Sequence, residues 1–227
     1  KTYQTDVGII IEDDRRFPWD KEFVYVIKEA NIDNFESIEH WLAINQSNSM
    51  DTFKASFKRF DGMLFNNTLA ADKEGNTFYI DDSSVPKLSE SALHLLKTDP
   101  TTSKLFKKIG IPVLPGDQSD FIFSKEVSFN NAPKIERDDY VQNANDSYWL
   151  TNNELPLLDY SPLYGSTQSQ QSLRTRQSLL MLKKNGGVDN LFNATEVESA
   201  LLNHETYFKQ FMPEILQICN DYSGQNI

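Results

Sequence analysis

Four short polar side chains lie close together within residues 140–150 and could do hydrogen-bond chemistry. They are Asn143, Asn145, Asp146 and Ser147. A rigidly held asparagine amide can donate to an oxygen that gains negative charge during acyl transfer, and losing such a donor typically costs an enzyme ~10²–10³ in rate. The same residue types also close turns by bonding to their own backbone. Composition alone therefore favours a turn over a catalytic site.

Two large aromatic residues, Tyr148 and Trp149, follow this polar group directly. Their apolar bulk should pin the segment against a core. The surrounding residues 110–164 carry several prolines and Asn, Asp and Ser clusters, which predict long irregular connections. Connections longer than ~12–15 residues are usually functional or disordered. Disordered segments lack such aromatic bulk, so we predict a functional loop.

The elements that must position this loop include both strands and helices. Gly75 sits in a short polar loop between apolar runs, which predicts a hairpin over residues 63–80. Further strands are predicted at 7–11 and 23–27. Helices are predicted to start near Asp33 and Ser49, and to cover residues 88–97, 102–109, 169–184, 194–204 and 205–221. We therefore expect an α+β fold whose mainly antiparallel sheet pairs the hairpin with the earlier strands, under covering helices.

Apolar residues at helical spacing predict which helix faces enter the core. The first helix should bury Phe35, Ile38, Trp41 and Leu42, and the helix over 169–184 should bury Leu173, Leu179, Leu180 and Leu182 before it stops at Gly186 and Gly187. The single cysteine, Cys219, cannot form an internal disulfide and is predicted to be buried in the last helix. None of the three histidines lies in a catalytic motif, and we assign them no role.

Composition excludes several classes of function. The net charge is −11, with scattered acidic residues and no basic stripe, which argues against nucleic-acid binding. No stretch approaches the ~18 consecutive apolar residues of a membrane span. Hydrophobic residues make up 39% of the 227, enough for a core, and we treat residues 1–227 as a single segment.

Three motifs in order resemble the penicillin acylase family of N-terminal-nucleophile hydrolases. Residues 143–147 resemble the Asn-Asn/Asp-Ser signature of its β chain. Residues 67–80 are similar to its ADxxGNxxY hairpin, and Ser172-Leu173-Arg174-Thr175-Arg176 is similar to its arginine-bearing stretch. The nearest branch includes acyl-homoserine-lactone and aculeacin acylases. Three ordered motifs are more specific than any one of them.

The resemblance assigns site residues. It implies that Asn145 donates to the oxyanion, and it favours Arg176 as the arginine that holds Asn145 or a carbonyl oxygen. Arg174 and Arg176 point about 200° apart on a helix, so only one can face the site. Asn67 and Trp149 are the implied substrate contacts at the acyl pocket. The alternatives stay open: an exposed helix arginine, and a strand asparagine that neighbouring groups satisfy.

The resemblance also implies an activity. Members split amides of N-acylated small molecules, such as β-lactams, acyl-homoserine lactones or lipopeptides, with an N-terminal Ser exposed by autoproteolysis. The implied fold is the αββα sandwich, and the implied location is periplasmic or secreted. Because the chain begins with Lys1, we expect an internal β-chain piece that is inactive alone and pairs with the α chain and the N-terminal part of the β chain.

The resemblance implies no organic cofactor. It allows calcium in the intact parent, with Asp159 as a candidate ligand. The alternative function is a non-catalytic binding or structural module that kept the scaffold. A processing junction upstream of Lys1, with a Ser after a small residue, would separate the two.

Overall fold

The computed structural model describes residues 2–185, 189 and 191–222, without the side chains of residues 184 and 185. Strands and helices alternate along the chain. The strands are β1 (Ile9–Ile11), β2 (Tyr25–Ile27), β3 (Asn67–Ala71), β4 (Thr77–Asp81) and β5 (Lys134–Arg137). The α-helices are α1 (Ser37–Asn45), α2 (Met50–Arg59), α3 (Glu90–Thr98), α4 (Pro100–Ile109), α5 (Leu173–Asn185), α6 (Ala194–Leu202) and α7 (Met212–Tyr222). Short 3₁₀ helices cover Ser119–Phe121, Phe129–Asn131, Tyr148–Leu150, Pro162–Tyr164 and Tyr207–Phe211.

The central sheet is antiparallel, with strand order β3-β4-β5. Leu69 pairs with Tyr79, and Tyr79 pairs with Ile135 on the other side. Gly75 adopts a φ of 91° in the turn between β3 and β4, a value that glycine takes at little cost. The Asp72 side chain accepts the backbone N–H of Asn76 at 2.9 Å and closes the same turn. The predicted hairpin and the α+β class are confirmed.

The third strand of this sheet differs from the prediction. β1 and β2 pair with each other in a separate two-stranded sheet, so the expectation that they join the hairpin is wrong. β5 takes that place, inside the stretch predicted to be irregular. It has four residues, of which Ile135 alone is buried, and such a short run carries no clear alternation.

Helix α2 packs against the sheet and contributes aromatic residues to the core. Phe53 and Phe57 contact Phe78 of β4, with ring centroids 6.3 Å and 6.4 Å apart. Ser49 starts the helix because its side-chain oxygen accepts the N–H of Thr52, the usual way to satisfy a free donor at a helix start. The sheet and α2 therefore form one apolar core that supports the segments that follow β5.

Helix α1 turns its predicted core face to the outside. Phe35 and Ile38 are 81% and 80% exposed, and Trp41 and Leu42 are exposed too, so the predicted burial of this face is wrong within the described residues. The buried residue of α1 is His40, whose Nδ1 accepts the backbone N–H of Gly62 at 3.1 Å. Desolvation by burial lowers the pKa of His40 and keeps it neutral. Polar contacts on the opposite side therefore fix the helix.

The C-terminal helices correct two further predictions. Cys219 on α7 is exposed rather than buried. Leu173, predicted as a core residue, is 52% exposed, whereas Leu179, Leu180 and Leu182 are partly buried. The predicted stop at residues 186–187 lies outside the described residues. No helix in the part of the chain that the structure describes is long and apolar enough to cross a bilayer.

Candidate active site

The polar loop at residues 143–147 is a turn closed by Asn143. Its side-chain oxygen accepts the backbone N–H of Asn145 at 2.7 Å, and its side-chain NH2 donates to the backbone oxygen of Asp146 at 3.1 Å. Asn145 has a φ of 62°, in the left-handed region that asparagine tolerates better than most residues. The turn expected from composition is therefore present, and Asn145 occupies its strained position.

The side chain of Asn145 stays available for other partners. The residue is exposed, and among the described residues nothing hydrogen-bonds to its side-chain amide. Its backbone is fixed by the turn while its NH2 group is not used by the fold. A ligand oxygen beside the loop could therefore receive this donor.

The first turn of α5 anchors the loop from outside. The Arg174 guanidinium donates through Nη2 to the backbone oxygen of Ala144. The Thr175 hydroxyl donates to the Asp146 carboxylate, and Thr175 is fully buried. The Arg176 guanidinium lies instead 5.7 Å from the centre of the Tyr207 ring. As helix geometry predicted, the two arginines face different ways, and the one that meets the loop here is Arg174.

The base of the loop is pinned by a pair of buried polar residues. Gln142 donates its backbone N–H to the oxygen of Thr151 at 2.8 Å, and its side chain donates to the oxygen of Leu150. Thr151 is fully buried and donates its hydroxyl to Tyr148 at 2.7 Å. Sequence reasoning missed both residues, because a single Gln or Thr carries no signal without its partner.

Aromatic residues pack against the core next to the polar loop, as predicted. Tyr148 is buried and meets the rings of Tyr160 and Tyr164 edge-on, at 5.4 Å and 6.2 Å between centroids. Trp149 is partly buried against the same core cluster. A Cβ on Gly165 would stand 2.8 Å from the Ser147 hydroxyl oxygen, so the chain after Tyr164 passes directly against the loop. The loop therefore rests on closely packed aromatic side chains.

Asn67 on β3 is linked to this region through Tyr79. The Tyr79 hydroxyl donates to the side-chain oxygen of Asn67. Burial raises the pKa of Tyr79, and the nearby charges of Asp81 and Asp146 raise it further, so the phenol stays protonated. The side-chain oxygen of Asn67 is thus occupied by a neighbour, as the alternative interpretation held, while a role in substrate contact stays a prediction.

Four carboxyl groups lie beside the sheet, of which Asp81 and Asp82 are buried and Asp61 and Glu126 are partly buried. Burial, with the charges of Asp61 and Asp81, raises the pKa of Asp82 to about 7. Burial, together with the nearby carboxyl group of Asp61, raises the pKa of Glu126. Too few positive charges lie near these carboxyl groups for all of them to be ionised at the same time. Within the described ranges no three His, Cys, Asp or Glu side chains form a set that could hold a metal ion, and calcium in the intact parent stays a prediction.

Comparisons with known proteins give the chain a family. Residues 1–226 match the family model described as penicillin amidase. The acyl-homoserine lactone acylase PvdQ of Pseudomonas putida is 28% identical over 235 residues, which take in 99% of this chain and 29% of that protein. The aculeacin-A acylase of Actinoplanes utahensis is 30% identical over 184 residues, or 77% of this chain and 23% of that protein. The chain thus spans less than a third of the length of these relatives.

Proposed function

This chain belongs to the penicillin amidase family, and from that membership we propose that the protein containing it is an amide hydrolase for N-acylated small molecules. The similarity to proteins named acyl-homoserine lactone acylase and aculeacin-A acylase supports acyl-homoserine lactones and lipopeptides as substrate classes, and the family name adds β-lactams. Hydrolysis of the first class would quench quorum signals, and hydrolysis of the others would alter antibiotics.

The proposed part of this chain in the reaction is one donor of the oxyanion hole. The observation that carries it is the Asn145 amide, which is held by its backbone and left without a partner among the described residues. As the scissile carbonyl becomes tetrahedral, its oxygen gains charge, and the side-chain NH2 of Asn145 would donate to it. Such a preorganised donor stabilises the transition state because it needs no rearrangement during the step.

The remaining parts of the proposal rest on the family. We assign the nucleophilic N-terminal Ser, exposed by autoproteolysis, to the part of the protein beyond these 227 residues, and residues 1–227 to one segment of the αββα fold. Trp149 and Asn67 would contribute to the wall of the acyl pocket, and the catalytic role of Arg176 stays part of the proposal. The location would be periplasmic or secreted, with the other chain segments as partners.

The test uses the whole processed protein with a series of N-acyl-homoserine lactones. Asn145→Ala should lower kcat by ~10²–10³, equivalent to ~2.7–4 kcal/mol of barrier, while KM changes little. Asn145→Gly removes the same amide but suits a positive φ, so it separates the lost donor from backbone strain. Both variants should lose kcat alike.

Asn143→Ala is the matched control. It removes a side chain of the same type from the same turn but leaves the Asn145 amide in the protein, so we expect a loss of about 1 kcal/mol of stability and a smaller loss of kcat than in Asn145→Gly. If Asn145→Gly kept the kcat of the wild type and only the heat resistance changed, Asn145 would be a turn residue and the proposed role would be wrong.

A further inference from the structure

Thr175 joins helix α5 to the loop through a chain of hydroxyl groups. The residue is fully buried, and its Oγ1 donates to Oδ2 of Asp146. Its Oγ1 also lies 2.8 Å from Oγ of Ser172, which accepts the backbone N–H of Thr175 at 3.1 Å. A hydroxyl has one proton to donate, and that of Thr175 goes to the carboxylate. Ser172 must therefore donate to Thr175, which orders the chain from Ser172 through Thr175 to Asp146.

The carboxylate at the end of this chain depends on Thr175. Among the described residues, the hydroxyl of Thr175 supplies the hydrogen bond that Oδ2 of Asp146 accepts. The other oxygen, Oδ1, is buried and has no partner in the part of the chain that is described. A buried charged oxygen that loses its donor costs more than an ordinary hydrogen bond. Removing the Thr175 hydroxyl should therefore displace the Asp146 side chain.

Any displacement of Asp146 reaches Asn145, because the two residues share a peptide bond. The backbone oxygen of Asp146 also accepts the side chain of Asn143, which in turn holds the N–H of Asn145. Asn145 is thus held within the turn by Asn143 and from the helix by Thr175. Arg174 holds the backbone one residue earlier, at Ala144.

We infer that Thr175 is a positioning residue for the amide hydrolysis, which acts through Asp146 to fix the place of the Asn145 amide. This inference rests on the proposed function. Thr175 does not touch the substrate in this scheme. Its contribution is the geometry of a donor, and in enzymes a misplacement of about 1 Å can cost on the order of 10²-fold in rate.

The test compares two substitutions in the whole processed protein, with N-dodecanoyl-homoserine lactone as substrate. Thr175→Val keeps the shape and removes the hydroxyl, and we expect kcat to fall by ~10–100-fold with KM within about twofold. Thr175→Ser keeps the hydroxyl donor and loses only the methyl group, so it should keep most of the wild-type kcat. If Thr175→Val is not recovered folded, Thr175→Ala carries the same kinetic comparison.

Ser56→Ala is the matched control for the loss of a buried hydroxyl. Ser56 lies in α2, is buried and donates to the oxygen of Phe53 at 2.7 Å. This variant should lower heat resistance and leave kcat unchanged. A Thr175→Val protein that behaves like Ser56→Ala, less stable but fully active, would reduce Thr175 to a structural anchor.

A double variant separates this inference from the proposed function. If Thr175 acts through Asn145, then Thr175→Val should change kcat by no more than about twofold in the Asn145→Ala background, because the donor it positions is already gone. Full additivity would overturn the positioning role and leave the role of Asn145 intact. An Asn145→Ala variant with normal kcat would instead overturn the proposed function itself.

Discussion

The hydroxyl of Tyr79 donates its hydrogen bond to the side-chain oxygen of Asn67 on the neighbouring strand. The two residues are diagonal neighbours on the hairpin, because Tyr79 stands opposite Leu69. The bond turns the Asn67 amide so that its oxygen faces Tyr79 and its NH2 group points away. Tyr79 therefore determines which end of the Asn67 amide stays free for the substrate contact that is proposed for it.

Loss of the Tyr79 hydroxyl should both destabilise and disorient this pair. Tyr79→Phe keeps the ring in the core and leaves the Asn67 oxygen unpaired, which should cost about 1 kcal/mol. We expect a lower heat-inactivation temperature and a higher KM for acyl-homoserine lactones. Tyr140→Phe is the control, because the Tyr140 hydroxyl accepts a backbone N–H at the surface, from Asn153. Equal effects of the two variants would contradict the prediction.

The two arginines of α5 have different partners, so their substitutions should have different effects. Arg174→Gln removes the donor to Ala144 at the loop, whereas Arg176→Gln removes a cation stacked over Tyr207. On this geometry we expect Arg174→Gln to lower kcat more, and Arg176→Gln to cost about 0.5–1 kcal/mol of stability. Steady-state kinetics and heat inactivation of both variants decide the matter. A larger loss of kcat for Arg176→Gln would favour the role that the resemblance implies.

The buried carboxyl groups make stability depend on pH. The pKa of Asp82 is raised to about 7 in the folded protein, so between its ordinary pKa near 4 and about 7 the folded state holds a proton that the unfolded state has lost. The stability contributed by this group is complete below about pH 4. It falls by about 1.4 kcal/mol per pH unit until the pH passes about 7.

Asp82→Asn should remove this dependence, because an amide does not ionise. We expect the variant to resist heat inactivation better than the wild type at pH 8 and equally at pH 4. Asp72 should give stability the opposite dependence on pH, because a hydrogen bond from the Asn76 side chain lowers the pKa of Asp72. Its contribution is present at neutral pH and lost in acid. Asp72→Asn tests this. An Asp82→Asn protein with no gain at pH 8 would contradict the assignment.

The exposed apolar face of α1 is expected to be covered in the whole protein. Ile38 on α1 and Phe35 just before the helix are among the most exposed apolar residues described, and the relatives are more than three times as long as this chain. We expect the additional chain segments to cover this face. In the whole protein with Cys219 and any further cysteine replaced by Ser, Ile38→Cys should resist maleimide, while Lys73→Cys, in the exposed hairpin turn, should react. Equal reactivity would show that the face is free.

Local patterns predicted the parts of the fold that local interactions build. The hairpin follows from the apolar runs on either side of Gly75, and the turn at Asn145 follows from short polar side chains. Strand β5 was not predicted because its partner on β4, which includes Thr77, lies far away in the sequence. The outward face of α1 was misassigned because helical spacing identifies an apolar face without telling what covers it. Thr175 carries no signal until the fold brings Asp146 beside it.

The close passage of Gly165 against Ser147 limits how this site can vary in evolution or in a designed library. Gly165 has a φ of 140°, which strains any residue other than glycine, and a side chain there would also meet the Ser147 hydroxyl oxygen, so a smaller residue at position 147 would not free position 165. The loop thus behaves as a fixed frame, and its exposed residue, Asn145, is the donor that the proposed function requires. Attempts to widen substrate range would do better to randomise the surrounding walls than this frame.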